Sequence, residues 1–129
     1  MIQTPGTAKK LIIFDDDEDI LSICSYFLEE NGWLVYTFTD CNQILERVSE
    51  IDPDVILMDN WIPEHGGIAA TQNLKQSDHL KHIPVVYFSA NSDIDKLSAQ
   101  AGADGYLAKP FDLDELVRII EEKTITAVK

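Results

Sequence analysis

Residues 11–21, LIIFDDDEDIL, run from a four-residue apolar stretch into five consecutive acids and then back into an apolar pattern. A short apolar run ended by charge reads as a buried strand. Beyond the acids, Ile20, Leu21, Cys24, Phe27 and Leu28 recur at helical spacing. That predicts a helix over Asp17–Asn31, with Gly32 as the residue that ends it.

The alternation continues along the chain. Trp33–Phe38 is rich in aromatic and β-branched residues and reads as a strand. Asp40 stands where it can cap a helix bearing Ile44, Val48 and Ile51, which Pro53 breaks. Val55–Met58 is another buried-type strand, and NWIPEHGG (60–67) is a loop by its Pro and Gly content. A weaker helix over Ile68–Lys75 and a strand over Val85–Phe88 follow. Ser92 or Asp93 can cap a helix with Ile94, Leu97 and Ala101 on one face, stopped by Gly102. Tyr106–Ala108 is a short strand, and Asp112 caps a last helix carrying Leu113, Leu116, Val117 and Ile120. Five strands alternate with five helices, and the strands are apolar throughout. This predicts an α/β fold, a doubly wound five-stranded parallel sheet with helices on both faces.

The bulk properties set limits. A length of 129 residues suits one domain, divided here into a tail over 1–9, a folded unit over 10–124 and a second tail over 125–129. No effector domain is expected after the last helix. No apolar run is long enough for a membrane span, and MIQTPGTAKK (1–10) lacks the core of a secretory signal, so a cytoplasmic location is expected. With 23 acids against 10 basic residues, the net charge is −13. Such a chain is repelled by nucleic-acid phosphates and anionic lipid surfaces and suits cations or basic protein patches. Cys24 falls on an apolar helix face, and Cys41 has no catalytic company. Both read as buried free thiols in a reducing compartment. His65, His79 and His82 have no metal-ligand spacing, and only His65 lies near the site derived next.

Open doubly wound sheets carry their sites at the carboxyl ends of the strands. The residues that follow the apolar runs are therefore the informative ones. Asp15 and Asp16 follow LIIF, Asp59 follows VILM, Ser89 follows VVYF and Lys109 follows YLA. Strand Trp33–Phe38 delivers Thr37 and Thr39 and reads as an edge. If the first and third strands are neighbours, about 4.8 Å apart, Asp15, Asp16 and Asp59 converge. Carboxylates that close raise one another's pKa unless a cation compensates them, and Mg2+ is the hard, oxygen-seeking candidate. Lys109, two strands from Asp59, can reach back to meet a second phosphoryl oxygen. A carboxylate, a divalent cation and a lysine in one cleft are the parts of phosphoryl transfer to aspartate.

At this point the chain resembles the receiver domain of two-component response regulators, the family of the chemotaxis regulator. The segments LIIFDDDEDIL, PDVILMDNWIP, VVYFSA and AGADGYLAKPF carry the likeness, in order, from Lys10 to about Glu122. The resemblance implies a flavodoxin-like strand order of 2-1-3-4-5. Asp59 would be the phosphoacceptor, taking its phosphoryl group from a sensor histidine kinase or phosphotransfer protein. Asp16 would ligate Mg2+ directly, Asp15 largely through water, and the Trp61 backbone carbonyl would add a ligand. Lys109 and Ser89 would contact the phosphoryl group, and Tyr106 would change its exposure in step with Ser89. The Lys109–Pro110 bond would be cis. The chain would be a signalling switch in a phosphorelay rather than an enzyme, catalysing only its own phosphorylation and dephosphorylation. Its downstream partner would dock on the fourth-helix, fifth-strand and fifth-helix face.

The loop after Asp59 departs from the family pattern. Gly66 stands where an acidic residue commonly precedes the final glycine, and Trp61 is bulky enough to screen a hydrolytic water. Two other functions compete. In phosphatases of the haloacid dehalogenase class a strand-end Asp is the nucleophile, and FDDDED mimics their DxD motif with Asp15 in that role, although Asp19 stands where Thr or Val is usual. A flavin or nucleotide module would need a Gly-rich or Ser/Thr-rich phosphate loop after Phe14, and acids occupy that place.

Overall fold

In the computed structural model, which describes residues 9–59, 66–90 and 92–128, the apolar runs form one parallel sheet. The elements are β1 (Lys10–Phe14), α1 (Glu18–Glu30), β2 (Leu34–Phe38), α2 (Ile44–Ile51), β3 (Val55–Asp59), α3 (Gly66–Gln76), β4 (Val85–Ser89), α4 (Ile94–Ala101), β5 (Gly105–Ala108) and α5 (Leu113–Val128). The strand order is β2-β1-β3-β4-β5, as the resemblance implied. β1 stands in register with β3 through Leu11↔Val55 to Phe14↔Met58, and β3 with β4 through Ile56↔Val85 to Asp59↔Phe88.

Two cores flank the sheet because side chains alternate faces along each strand. Ile12, Phe14, Ile56, Met58, Val85 and Tyr87 pack under α2, α3 and α4. Leu11, Ile13, Leu57, Val86, Phe88 and Leu107 pack under α1 and α5. Continuous apolar runs are therefore required at β1, β3 and β4, whose residues are all buried except Lys10, which is half-buried. Each large apolar side chain so buried contributes roughly 1.5–3 kcal/mol.

β2 is the edge strand that the sequence indicated, and it departs from the continuous burial of the inner strands. Leu34, Tyr36 and Thr37 are exposed, because this strand is an edge and α1 and α2 cover it only in part. Asp40 does not cap α2. Its carboxylate accepts from the Asn42 amide at 2.9 Å and from the Arg47 guanidinium at 2.9 Å, so it closes a turn ahead of the helix. The position before α2 is Gln43, in the left-handed region, with no side-chain cap. Asp93 precedes α4 without a side-chain cap bond either. Before α5, the Asp112 amide donates to Glu115 Oε1 at 3.3 Å, the returning half of a capping box. α3 begins at Gly66, two residues before the expected start, and Gly66 holds φ +71 that a side chain at this position would strain. α5 extends to Val128, past the expected domain end at 124, because residues 113–128 contain no glycine or proline to stop it. Among the described residues no helix is long and apolar enough to cross a membrane.

Candidate phosphoacceptor site

The carboxyl edge of the sheet gathers the expected residues. Asp15 follows β1, and its amide donates to Phe38 O at 3.1 Å, carrying the β1–β2 ladder past the strand end. Asp59 closes β3, opposite Phe88. Ser89 closes β4 opposite Ala108, and the Lys109 amide donates to Ser89 O at 2.8 Å. That bond fixes Lys109 at the same level, and the Lys109–Pro110 bond that follows is cis.

Asp15, Asp16 and Asp59 each present a carboxylate oxygen within 4.8 Å of the others. Asp15 and Asp59 are buried, whereas Asp16 is open to solvent. Lys109 Nζ reaches back across β4 and donates to Asp59 Oδ1 at 3.0 Å and to Asp15 Oδ2 at 3.1 Å. The other Asp15 oxygen accepts from the Asp17 amide at 2.9 Å. Asp17 in turn caps α1, accepting from the Asp19 and Ile20 amides at 2.9 and 3.3 Å. The acids of LIIFDDDEDIL therefore divide their work. Asp15 and Asp16 face the cleft, Asp17 starts the helix, and Glu18 and Asp19 favour its positive end.

Burial, then the neighbouring Asp15 charge, pushes the Asp59 carboxyl up to about 6, against the opposing pull of Lys109. Asp15 is raised as well, first by burial, although the Asp17 amide and Lys109 oppose it. Burial disfavours the Lys109 ammonium, but its bonds to Asp59 and Asp15 outweigh that and leave its pKa raised. When the three carboxylates are ionised, Lys109 leaves two negative charges uncompensated. Three hard oxygen donors with a charge deficit of that size fit Mg2+.

The remaining residues singled out in the sequence take these places. Ser89 is buried beside the cleft. Tyr106 lies two residues before the end of β5 and is 46% exposed. Trp61 and His65 lie outside the described residues. Cys41 is buried, and burial pushes its thiol up to about 12, which suits a packing role. One contributor had no signal of its own in the sequence. Phe88 lies under the Lys109 ammonium, 4.7 Å from ring centre to nitrogen, and steers the lysine stem. Its position one residue before Ser89 in VVYFS is the feature that could have revealed it.

The family model for the response regulator receiver domain matches residues 11–121. A response regulator of Chloroflexus aurantiacus J-10-fl superposes with a TM-score of 0.86 at 26% identity, over 92% of this chain and 99% of that one. The receiver domain of a sensor histidine kinase from Pseudomonas aeruginosa PAO1 gives 0.84 at 26% identity, over 92% and 98%, and that structure holds a magnesium ion in its active-site cleft. The Vibrio cholerae chemotaxis protein CheY4 shares the fold, at 0.82 and 23% identity over 90% and 98%. The phosphatase alternative finds no support in these matches. A match spanning nearly the whole folded region, on a sheet of order 2-1-3-4-5 with its acids and lysine at one edge, makes this chain a member of the response regulator receiver domain family.

Proposed function

We propose that Asp59 is the phosphoacceptor and that the chain switches a protein partner when Asp59 is phosphorylated by a histidine-bearing donor. The observation that carries this reading is the bridge from Lys109 to Asp59 and Asp15 beside the Asp15–Asp16–Asp59 cluster. Asp15, Asp16 and Asp59 are the residues that would hold Mg2+, with the Trp61 carbonyl as a further donor outside the described residues. When bound, Mg2+ neutralises carboxylate and phosphoryl charge in the cleft.

An Asp59 carboxylate oxygen attacks phosphorus. The new O–P bond forms as the donor N–P bond breaks, and the departing imidazole keeps the electron pair and takes up a proton. Lys109 then faces a phosphoryl oxygen in place of a bare carboxylate, and the Ser89 hydroxyl donates to a second one. Because Ser89 and Lys109 are joined through the Ser89 carbonyl, their adjustment is transmitted to the start of the β5–α5 connection. The α4, β5 and α5 surface, which carries exposed Tyr106, is the proposed partner face. Hydrolysis of the acyl phosphate by the same site returns the switch to rest, and residues 10–124 constitute the switching unit.

Incubation with a small phosphodonor and Mg2+, read by intact mass, tests this reading. One phosphoryl adduct is expected, not formed when chelator is present from the start and absent in Asp59→Asn. An unmodified wild-type chain under these conditions overturns it.

A further inference from the structure

We infer that β2 is a docking edge for a second copy of this chain, the two β2 strands pairing antiparallel about a two-fold axis at Tyr36. β2 ends the sheet on one side and pairs only with β1. The Leu34 amide donates to Lys9 O at 2.9 Å, and Phe38 O accepts from the Asp15 amide at 3.1 Å. Alternate residues of a strand turn their amide and carbonyl to the same side, so Leu34, Tyr36 and Phe38 serve β1. Val35 and Thr37 turn theirs outward, and among the described residues those groups meet no partner. The side chains leave this edge open as well. Trp33–Thr39 holds no charge and no proline, and both Leu34 and Tyr36 are exposed. Strand edges are ordinarily blunted by lysine, proline or shortness. The opposite edge has such devices. β5 spans four residues, runs into Lys109–Pro110, and has the Lys123 stem lying over Gly105, where a Cβ would meet Lys123 Cε at 2.7 Å.

Charge and symmetry select a second copy as the occupant. The chain carries −13, so copies repel one another wherever acids face acids. β2 is a neutral strip on that surface. At its carboxyl end Asp40 and Arg47 compensate each other at 2.9 Å, and in the antiparallel pair the residue opposite Asp40 is the uncharged Gly32. Turned about Tyr36, the edge is its own complement. Each Val35 faces a Thr37 of the other copy, and the outward amides and carbonyls all pair. The two Tyr36 side chains meet at the axis, and each exposed Leu34 lies beside a Phe38 on the same face. The product is one continuous sheet whose two carboxyl edges point in opposite directions. Both acidic clefts and both α4–β5–α5 faces stay open, so the inference is independent of the phosphoacceptor reading. A five-residue strand from each copy gives an interface at the low end of the specific range, with a dissociation constant on the order of 100 µM.

Sedimentation velocity of the full chain, from about 10 µM to about 1 mM, is expected to pass from monomer to dimer. Tyr36→Lys sets two ammonium groups face to face at the axis and is expected to weaken the dimer about tenfold or more. Tyr26→Lys makes the same charge change at an exposed position on α1 and is expected to leave it unaltered. A wild-type chain that stays monomeric throughout overturns the inference and leaves the edge to an extended strand of another protein. Equal weakening by the two lysine variants overturns it too. Cysteine pairing reads the register. Tyr36→Cys places two thiols at the axis on Cα atoms about 4.5 Å apart, within disulfide reach. Leu34→Cys places them about 13 Å apart along the strands, out of reach. Both positions are exposed, so neither substitution disturbs the core, and the native Cys24 and Cys41 are buried. Under mild oxidation Tyr36→Cys is expected to cross-link at least about tenfold faster than Leu34→Cys. Comparable rates overturn the pairing.

Discussion

Lys109, beyond the end of β5, and Asp59, at the end of β3, meet at 3.0 Å across the intervening strand β4. The lysine gains its reach from the Phe88 ring beneath its stem and from the backbone bond that levels it with Ser89. The same ammonium holds Asp15 at 3.1 Å, so one cation keeps two buried carboxylates together.

Removing that cation leaves two buried acids facing each other. Lys109→Met is expected to lower metal-free stability by about 1–3 kcal/mol, the cost of uncompensated buried polar groups. Added Mg2+ is expected to restore part of the loss. Urea unfolding with chelator and with excess Mg2+ checks both statements, and equal stability of variant and wild type in chelator contradicts the first.

Asp59 carries the opposite sign. Its carboxyl is raised from 3.8 to about 6, so the folded chain binds this proton more tightly than the unfolded chain does. The stabilisation from that proton is complete below about 3.8 and is lost as pH rises through about 6. Asp59→Asn removes the charge, so its metal-free advantage over wild type is expected to be small near pH 4. It then grows to a plateau above pH 7 of at most ~3 kcal/mol, from about two pKa units at 1.36 kcal/mol each. Unfolding free energies across this pH range in chelator measure it, and an advantage that shrinks with rising pH contradicts the account.

Asp16 separates metal binding from folding. It is exposed, so Asp16→Asn is expected to change stability by no more than about 0.5 kcal/mol. As an expected direct ligand, its loss is expected to weaken Mg2+ binding by about tenfold or more. Calorimetric titration with Mg2+ beside a thermal melt distinguishes the two effects. Unchanged affinity removes Asp16 from the ligand set.

The cysteines are expected to be chemically silent in the folded chain. Burial pushes Cys24 up to about 11 and Cys41 up to about 12, so little thiolate is available. A thiol-specific chromogenic reagent at pH 8 is expected to label neither in native buffer and both in denaturant. Rapid native labelling of Cys41 would reopen a reactive role for it.

The sheet and the cleft were legible because parallel strands must be apolar on both faces and must deliver their polar residues at one edge. LIIF, VILM and VVYF met the first demand, and Asp15, Asp59, Ser89 and Lys109 met the second. What stayed hidden depends on contacts between residues distant in the chain. Asp40 looked like a cap, yet Arg47, which also stacks 4.4 Å over the Phe38 ring, draws its carboxylate into an ion pair. Lys75 read as the end of a weak helix, yet its ammonium joins Asp104 at 2.6 Å and the Ile83 carbonyl at 2.9 Å, tying α3 to the strands on either side of α4. Tyr106 pairs with buried Tyr87 on the neighbouring strand yet is itself exposed, because β5 is an edge and β4 lies inside the sheet.

The most direct measurement of the central claim is where the phosphoryl group lands. After reaction with a small phosphodonor and Mg2+, borohydride reduction converts an acyl-phosphorylated aspartate to homoserine, which peptide mass spectrometry locates. The account predicts homoserine at position 59 alone, with none in Asp59→Asn. Homoserine at position 15, or labelling that persists in Asp59→Asn, would contradict it.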